Sequence, residues 1–168
     1  AIYFIAIVLS RSAGIPFELV VRDLAQRCKT PLGVGLISNL GYLLWMCSSS
    51  IALFTSFLSL EKRNATAKSF TFYGGIFSLG LCIDDMFLIH DRYIPEGILY
   101  PIYAIIAIIL LRRYKSELFR YKYGYLDFIF SVCFLGCSVI LDSLQGNIFL
   151  SYKETQLLEE GFKFLGIV

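Results

Sequence analysis

Residues 31–60 read PLGVGLISNLGYLLWMCSSSIALFTSFLSL, and this stretch contains no Asp, Glu, Lys or Arg. A helix needs ~20 apolar residues, each rising about 1.5 Å, to cross the hydrocarbon layer of a bilayer. We name this stretch run A. The whole chain is similar: 57% of its 168 residues are hydrophobic and 17% are charged, with a mean hydropathy of +0.70, against about 45–50% and 25% in soluble domains. The composition predicts an integral membrane protein.

Three further apolar runs are candidate membrane spans: run B, residues 70–90, run C, residues 97–111, and run D, residues 126–144. The chain also opens and closes within apolar stretches, so we expect it to be an excerpt of a longer protein. The predicted fold is all-α. It is a polytopic transmembrane bundle of about six passes, the first and last incomplete, in a single domain over residues 1–168. Short connections favour antiparallel neighbours.

Residues 11–30 separate the first apolar stretch from run A and are more polar. Glu18 and Arg22, and likewise Asp23 and Arg27, stand four residues apart with the acid first, which is the spacing of helical ion pairs. The apolar residues between these charged ones would allow the segment to contact lipid as well as water. The segment therefore predicts a short amphipathic helix that lies in the membrane interface.

Basic residues are concentrated in two of the predicted connections. The A–B and C–D connections together hold eight, whereas the B–C connection and the one after run D hold two, Arg92 and Lys153. Since cytoplasmic loops carry an excess of Lys and Arg, we expect the A–B and C–D loops to be cytoplasmic. The net charge of +2 is too small to indicate a nucleic-acid partner. The eight residues are Lys62, Arg63, Lys68, Arg112, Arg113, Lys115, Arg120 and Lys122.

This topology brings one end of run B, one end of run D and one end of the last apolar stretch to the same leaflet. Acidic residues lie near all three of these ends. Such residues inside a membrane usually face the bundle interior and mark an ion or proton path. The predicted cation- or proton-binding set, with the one histidine of the chain, is Asp84, Asp85, His90, Asp91, Asp142, Glu159 and Glu160. A simpler interpretation is that His90 and Asp91 are solvated, and that Glu159 and Glu160 only pair with Lys163.

Asp85 shares a helix face with small residues. At about 100° per residue, Gly74, Ser78 and Cys82 fall on its side of the helix, and small faces are where transmembrane helices meet. We expect these three residues to pack against another helix, within the bundle or between protomers. The same geometry places Asp142 in a stripe of small polar residues on run D. Both Asp85 and Asp142 are therefore predicted to point into the bundle.

Carboxylates with a single imidazole suit hard or borderline cations, and protons equally. A catalytic zinc site rich in histidine is disfavoured by the single histidine, and the D-D-x-x-D pattern of prenyl-transferring enzymes fails at Leu88. The favoured function is to bind or conduct a cation or proton, with a divalent cation as candidate cofactor. The alternatives are a non-catalytic packing subunit, in a homo-oligomer or a larger membrane complex, and a carboxylate-metal enzyme acting on a lipid; an enzyme is not favoured.

Overall fold

The structure is a computed structural model that describes residues 2–17, 20, 28–29, 31, 33–58, 65–120, 122–144 and 151–167. The described residues are helical and include no strand, so the predicted all-α class is confirmed. The helices are α1 (Ile2–Ala13), α2 (Leu36–Phe57), α3 (Ala65–Phe87), α4 (Ile89–Arg92), α5 (Glu96–Arg120), α6 (Lys122–Ser143) and α7 (Tyr152–Ile167).

Three of the described helices are long and apolar enough to cross a membrane: Leu36–Phe57, Glu96–Arg120 and Gly124–Ser143. They contain the greater part of runs A, C and D. Run B falls largely on α3, which is 23 residues long but contains Lys68, Asp84 and Asp85. The interfacial helix predicted over residues 11–30 falls for the most part outside the described residues, and it stays a prediction.

Helix α5 continues well beyond run C. It extends to Arg120, with an irregular backbone at Tyr114 (φ −113°, ψ 20°), so residues expected in the C–D loop are helical instead. Hydropathy marks where apolar side chains end, and exposed charged residues such as Arg112 and Lys115 have good helix propensity. The rings of Phe119 and Tyr125 stack across the connection to α6, with centroids 4.0 Å apart.

Residues 1–36 and 37–168 form two compact units. In the first, α1 ends because Gly14 adopts a left-handed conformation (φ 64°), which glycine tolerates at a helix C-terminus. The Ile15 amide donates to the Ser10 carbonyl at 3.0 Å. The Ser10 hydroxyl donates to the Ile15 carbonyl at 2.6 Å.

In the second unit, five long helices contact one another in a closed series: α2 with α3, α3 with α5, α5 with α6, α6 with α7, and α7 with α2. Each junction is marked by a hydrogen bond or a ring contact. The pairs are Trp45 with Ser78, Phe77 with Tyr103, Tyr100 with Asp142, Phe134 with Phe162, and Ser38 with Glu160. The candidate site lies among these helices.

The small face of α3 meets α2. Ser78 accepts hydrogen bonds from Trp45 Nε1 at 2.8 Å and from the Ser49 hydroxyl at 3.0 Å, and Cys82 is fully buried. The close approach at the other end of this face is at Gly75, where an added Cβ would lie 3.0 Å from Leu53 of α2. At Gly74 an added Cβ would meet nothing within 4 Å, so the tight contact is displaced by one residue from the predicted position.

Helix α7 begins with a contact between Ser151 and Glu154. The Ser151 hydroxyl and amide donate to the Glu154 carboxylate at 2.7 and 2.9 Å, which matches the S-x-x-E signature of a helix N-terminus. The hydrogen bond from the Ser151 side chain, together with that from its amide, holds the pKa of Glu154 below its usual value. This cap fixes where α7 starts and so sets which of its faces Glu159 and Lys163 occupy.

Candidate functional site

A partly open cavity of about 640 Å³ is lined by the five long helices and by His90 of α4. Its walls are mostly apolar, with side chains such as Phe77, Leu81, Ala104 and Leu135. The charged and hydrogen-bonding groups come from the α3–α4 junction, the start of α5, the end of α6 and the middle of α7. These polar lining residues include Asp84, Asp85, His90, Tyr100, Asp142, Glu159 and Lys163. The cavity is therefore amphipathic.

Asp84 closes the turn between α3 and α4. Leu88 adopts the left-handed region (φ 52°, ψ 47°), which is costly for a residue with a Cβ and separates α3 from α4. The His90 amide donates to Asp84 Oδ1 at 2.9 Å, and His90 Nδ1 lies 3.0 Å from Oδ2. Asp84 is only 4% exposed, and both of its oxygens are engaged by His90.

The other ring nitrogen of His90 faces a second carboxylate. Nε2 lies 3.5 Å from Asp91 Oδ1. One potential ligand atom from each of His90, Asp91 and Asp142 can be chosen so that all three lie within 4.8 Å of one another. Asp142 is fixed in turn by the Tyr100 hydroxyl, which donates to its Oδ2 at 2.9 Å. These three residues are named the His90 group.

This geometry suits a divalent cation. Oxygen ligands lie about 2.0–2.6 Å from Mg²⁺ or Ca²⁺, so atoms on opposite sides of an ion are about 4–5 Å apart. A histidine that binds a metal through one nitrogen usually donates the other N–H to a carboxylate, which orients the ring. Asp84 is placed to accept from Nδ1 in this way. The His90 group therefore combines a possible ligand set with the expected support for its imidazole.

A second group is centred on Lys163. Its Nζ lies 2.9 Å from Asp85 Oδ1, 3.3 Å from Glu160 Oε1 and 3.5 Å from Glu159 Oε1. The Lys163 side chain is 18% exposed, so one largely buried ammonium serves three carboxylates. We name these four residues the Lys163 group; it links α3 to α7.

Asp85 has an unsatisfied oxygen. Oδ1 accepts from Lys163, but Oδ2 is buried and has no hydrogen-bond partner in the described part of the chain. A buried acceptor without a donor is unfavourable by about 1–3 kcal/mol, more when charged. Asp85 is also one of the residues that line the cavity.

The structure brings most of the predicted acidic set together. Asp84, Asp85, His90, Asp142 and Glu159 all line the cavity. Asp91 contacts His90 beside it, and Glu160 contacts Ser38 and Lys163.

Two residues of the site have roles that the sequence does not reveal. Spacing pairs Lys163 with Glu159 and Glu160, but its contact with Asp85 on α3 joins positions 78 residues apart. Tyr100 is an aromatic residue near the end of run C, where the sequence suggests an interfacial position. In the structure its hydroxyl donates to Asp142. Both contacts depend on how helices pack, for which a single sequence provides no direct signal.

The fold and site thus define a helical protein with three helices able to cross a membrane and with ionisable groups buried among its helices. The chain belongs to the family described as Domain of unknown function (DUF8692), whose model matches residues 1–168. No curated protein and no solved structure is significantly similar to it.

Proposed function

We propose that this is a multi-pass membrane protein that binds a divalent cation at His90, Asp91 and Asp142. The observation that carries the proposal is that ligand atoms of these residues lie within 4.8 Å of one another, with the imidazole oriented by Asp84. The neighbouring Lys163 group has three carboxyl groups and one ammonium, and ionisation of more than one of these carboxyl groups favours a cation. Binding, without conduction, is the activity that this arrangement supports best.

The membrane part of the proposal retains about six passes and an interfacial segment over residues 11–30. Helix α3 supports a further pass by its length, because its 23 residues extend about 34 Å, and Asp84 and Asp85 are engaged by groups inside the bundle. We propose that the A–B and C–D connections are cytoplasmic. Glycosylation of the sequon Asn64-Ala65-Thr66 in a eukaryotic microsome assay would contradict this orientation.

The cation site can be tested with Mn²⁺, whose dissolved aqua ion gives an electron paramagnetic resonance signal that weakens on binding. The purified protein in lipid nanodiscs is titrated with MnCl₂ and the free-ion signal is recorded. We expect saturable binding that is lost in Asp142→Asn and in His90→Ala. The matched control is Asp127→Asn, an exposed carboxylate on the same helix, which is expected to bind as the unchanged protein does.

Two outcomes would contradict the proposal. Saturable binding that is equal in all four proteins would place the cation elsewhere. Absence of binding by the folded, unchanged protein would leave the group as the charged rim of a helix bundle, and the packing-subunit alternative would replace it. Folding of every variant is checked by circular dichroism and by size-exclusion chromatography.

A further inference from the structure

We propose that the cavity binds an amphiphile that has a single alkyl chain and a primary ammonium head group. The head group would lie at Asp85 Oδ2 and Glu159, and the chain would lie along the apolar wall that includes Leu81, Ala104 and Leu135. This inference goes beyond cation binding at the His90 group and does not depend on it. It explains two features that a metal site leaves unused: the size of the cavity and the unsatisfied oxygen of Asp85.

The dimensions of the cavity suit an elongated ligand. Its volume of about 640 Å³ lies within the range of about 300–1,000 Å³ that is typical of small-molecule sites. The lining residues on α6 extend from Val132 to Asp142, which corresponds to about 15 Å along the helix axis. On α5 they extend from Tyr100 to Ala107, or about 10 Å. A metal ion with its waters would fill only the polar part of this space.

The apolar wall favours an alkyl chain. Phe77, Leu81, Ala104 and Leu135 present hydrocarbon to the cavity, and small residues such as Ala107 and Gly136 widen it. Placing apolar surface against this wall releases water or loosely packed lipid and gains dispersion contacts. The wall offers few polar groups to a sugar or a nucleotide, which we therefore do not expect to bind here.

The polar end favours an ammonium head group. Asp85 Oδ2 is an acceptor without a donor in the described part of the chain, and an ionised carboxylate can only accept. Lys163 already contacts three carboxylates, so it has little capacity to attract an additional anion. A primary ammonium supplies three N–H donors and a positive charge, whereas a phosphate or carboxylate head group would be repelled by Asp85, Asp142 and Glu159.

The experiment compares three probes with the same chain: hexadecylamine, hexadecanol and hexadecyl phosphate. Each is added to the detergent-purified protein at neutral pH without divalent cations, and bound molecules are counted by native mass spectrometry. We expect saturable binding of hexadecylamine and at least about tenfold weaker binding of the other two, as the loss of a charge-assisted hydrogen bond predicts.

Two variants locate the probe. Ala104→Trp fills the cavity and is expected to abolish hexadecylamine binding. Its matched control is Ile105→Trp, at the adjacent position of α5, where the side chain is 57% exposed. Asp85→Asn is expected to weaken binding by about tenfold and to reduce the preference for the amine over the alcohol.

Several outcomes overturn the inference. Equal binding of amine and alcohol would show that the chain alone partitions into the protein, with water satisfying Asp85. Preferred binding of hexadecyl phosphate would reverse the sign of the head group. Binding that is unaffected by Ala104→Trp would place the probe outside the cavity. Since no divalent cation is present, failure here is distinct from failure of the Mn²⁺ titration, and each proposal can stand alone.

Discussion

Asp84 and Asp85 are adjacent residues on α3, yet their carboxylates are in different situations. Both oxygens of Asp84 are engaged by His90, six positions along the same chain segment. Asp85 binds Lys163 on a distant helix through one oxygen and leaves the other without a partner in the described residues. The two residues are almost equally buried, at 4% and 7% exposure, so burial alone does not distinguish them.

The difference follows from helical rotation. Neighbouring side chains on a helix point about 100° apart, so one carboxylate faces the turn that ends α3 and the other faces α7. Asp84 has partners for both oxygens in His90, and Tyr103 of α5 is a further partner, so this carboxylate stabilises the turn. A single long-range partner leaves Asp85 half satisfied, so this carboxylate can still bind a ligand. The hydrogen-bond partners of each carboxylate, and not its residue type or its depth, therefore distinguish the structural Asp84 from Asp85, which is available to a ligand.

The largest effect is expected from Lys163→Met, which leaves Asp85, Glu159 and Glu160 without their shared cation. Breaking a buried ion pair by removing one partner destabilises by about 3–5 kcal/mol; the partial exposure of Lys163 places the expected value near the lower figure. Thermal unfolding is followed by the fluorescence of Trp45, the single tryptophan. Lys153→Met, an exposed change on the same helix, is the control. An equal effect of both changes would show that the Lys163 contacts contribute nothing specific.

Asp84→Ala removes the acceptor for both His90 contacts and is expected to destabilise by about 2 kcal/mol, since it leaves the His90 amide without its bond. It should also weaken Mn²⁺ binding, because the imidazole is no longer oriented. Thermal unfolding and the Mn²⁺ titration measure the two effects. Asp127→Ala is the matched control. If Asp84→Ala changes neither quantity, the turn is held by other contacts and the structural role of Asp84 is wrong.

Asp85→Asn is expected to change stability by less than about 1 kcal/mol. It loses one contact of Lys163 but also removes the cost of keeping an ionised carboxylate with an unsatisfied oxygen inside the protein. Two acidic partners of Lys163 remain. The comparison with Asp84→Ala is made in the same unfolding assay. A destabilisation by Asp85→Asn that equals or exceeds that of Asp84→Ala would remove the distinction between the two carboxylates.

The smallest effect is expected from Leu88→Gly. Glycine relieves the left-handed strain at this position by about 1 kcal/mol, but it loses the packing of a half-buried side chain and adds freedom to the unfolded chain. We expect stability within about 1 kcal/mol of the unchanged protein. In the Leu88→Gly variant, Asp84→Ala should lower the free energy of unfolding by about 0.5 kcal/mol less than it does in the unchanged protein, because residues that share a turn are coupled. Additive effects would show that Asp84 does not hold the Leu88 turn.

The sequence predicts the class of fold better than the connections. Charge-free stretches identify α2, and the same apolar pattern indicates α5 and α6, because hydropathy records a property of each residue alone. The end of α5 at Arg120 is not predicted, since charged residues continue a helix as readily as they form a loop. The turn at Leu88 is also unexpected, because leucine has no preference for a positive φ and the turn is held by Asp84.

The candidate site, like the fold, is predicted from the sequence only in part. Helical rotation is enough to predict that Asp85 shares a helix face with the small residue Ser78 and points to a neighbouring helix. It cannot identify Lys163 as the partner, because that requires the relative depth and rotation of α3 and α7. The tight contact at Gly75 in place of Gly74 shows the limit of this reasoning. One residue of error is 100° of rotation, which is enough to exchange a packed face for an open one.

The contact between Lys163 and Asp85 also has a consequence for how the protein is made. Ribosomes synthesise α3 well before α7, so a translocon would receive a segment with two carboxylates when Lys163, the partner of Asp85, does not yet exist. Helix α3 is not one of the helices that qualify as a membrane span by themselves, and an isolated Asp costs about 2.5–3.5 kcal/mol to insert. If α3 crosses the membrane as proposed, its stable insertion would wait for α7, and biogenesis of the bundle would be cooperative across positions 78 residues apart.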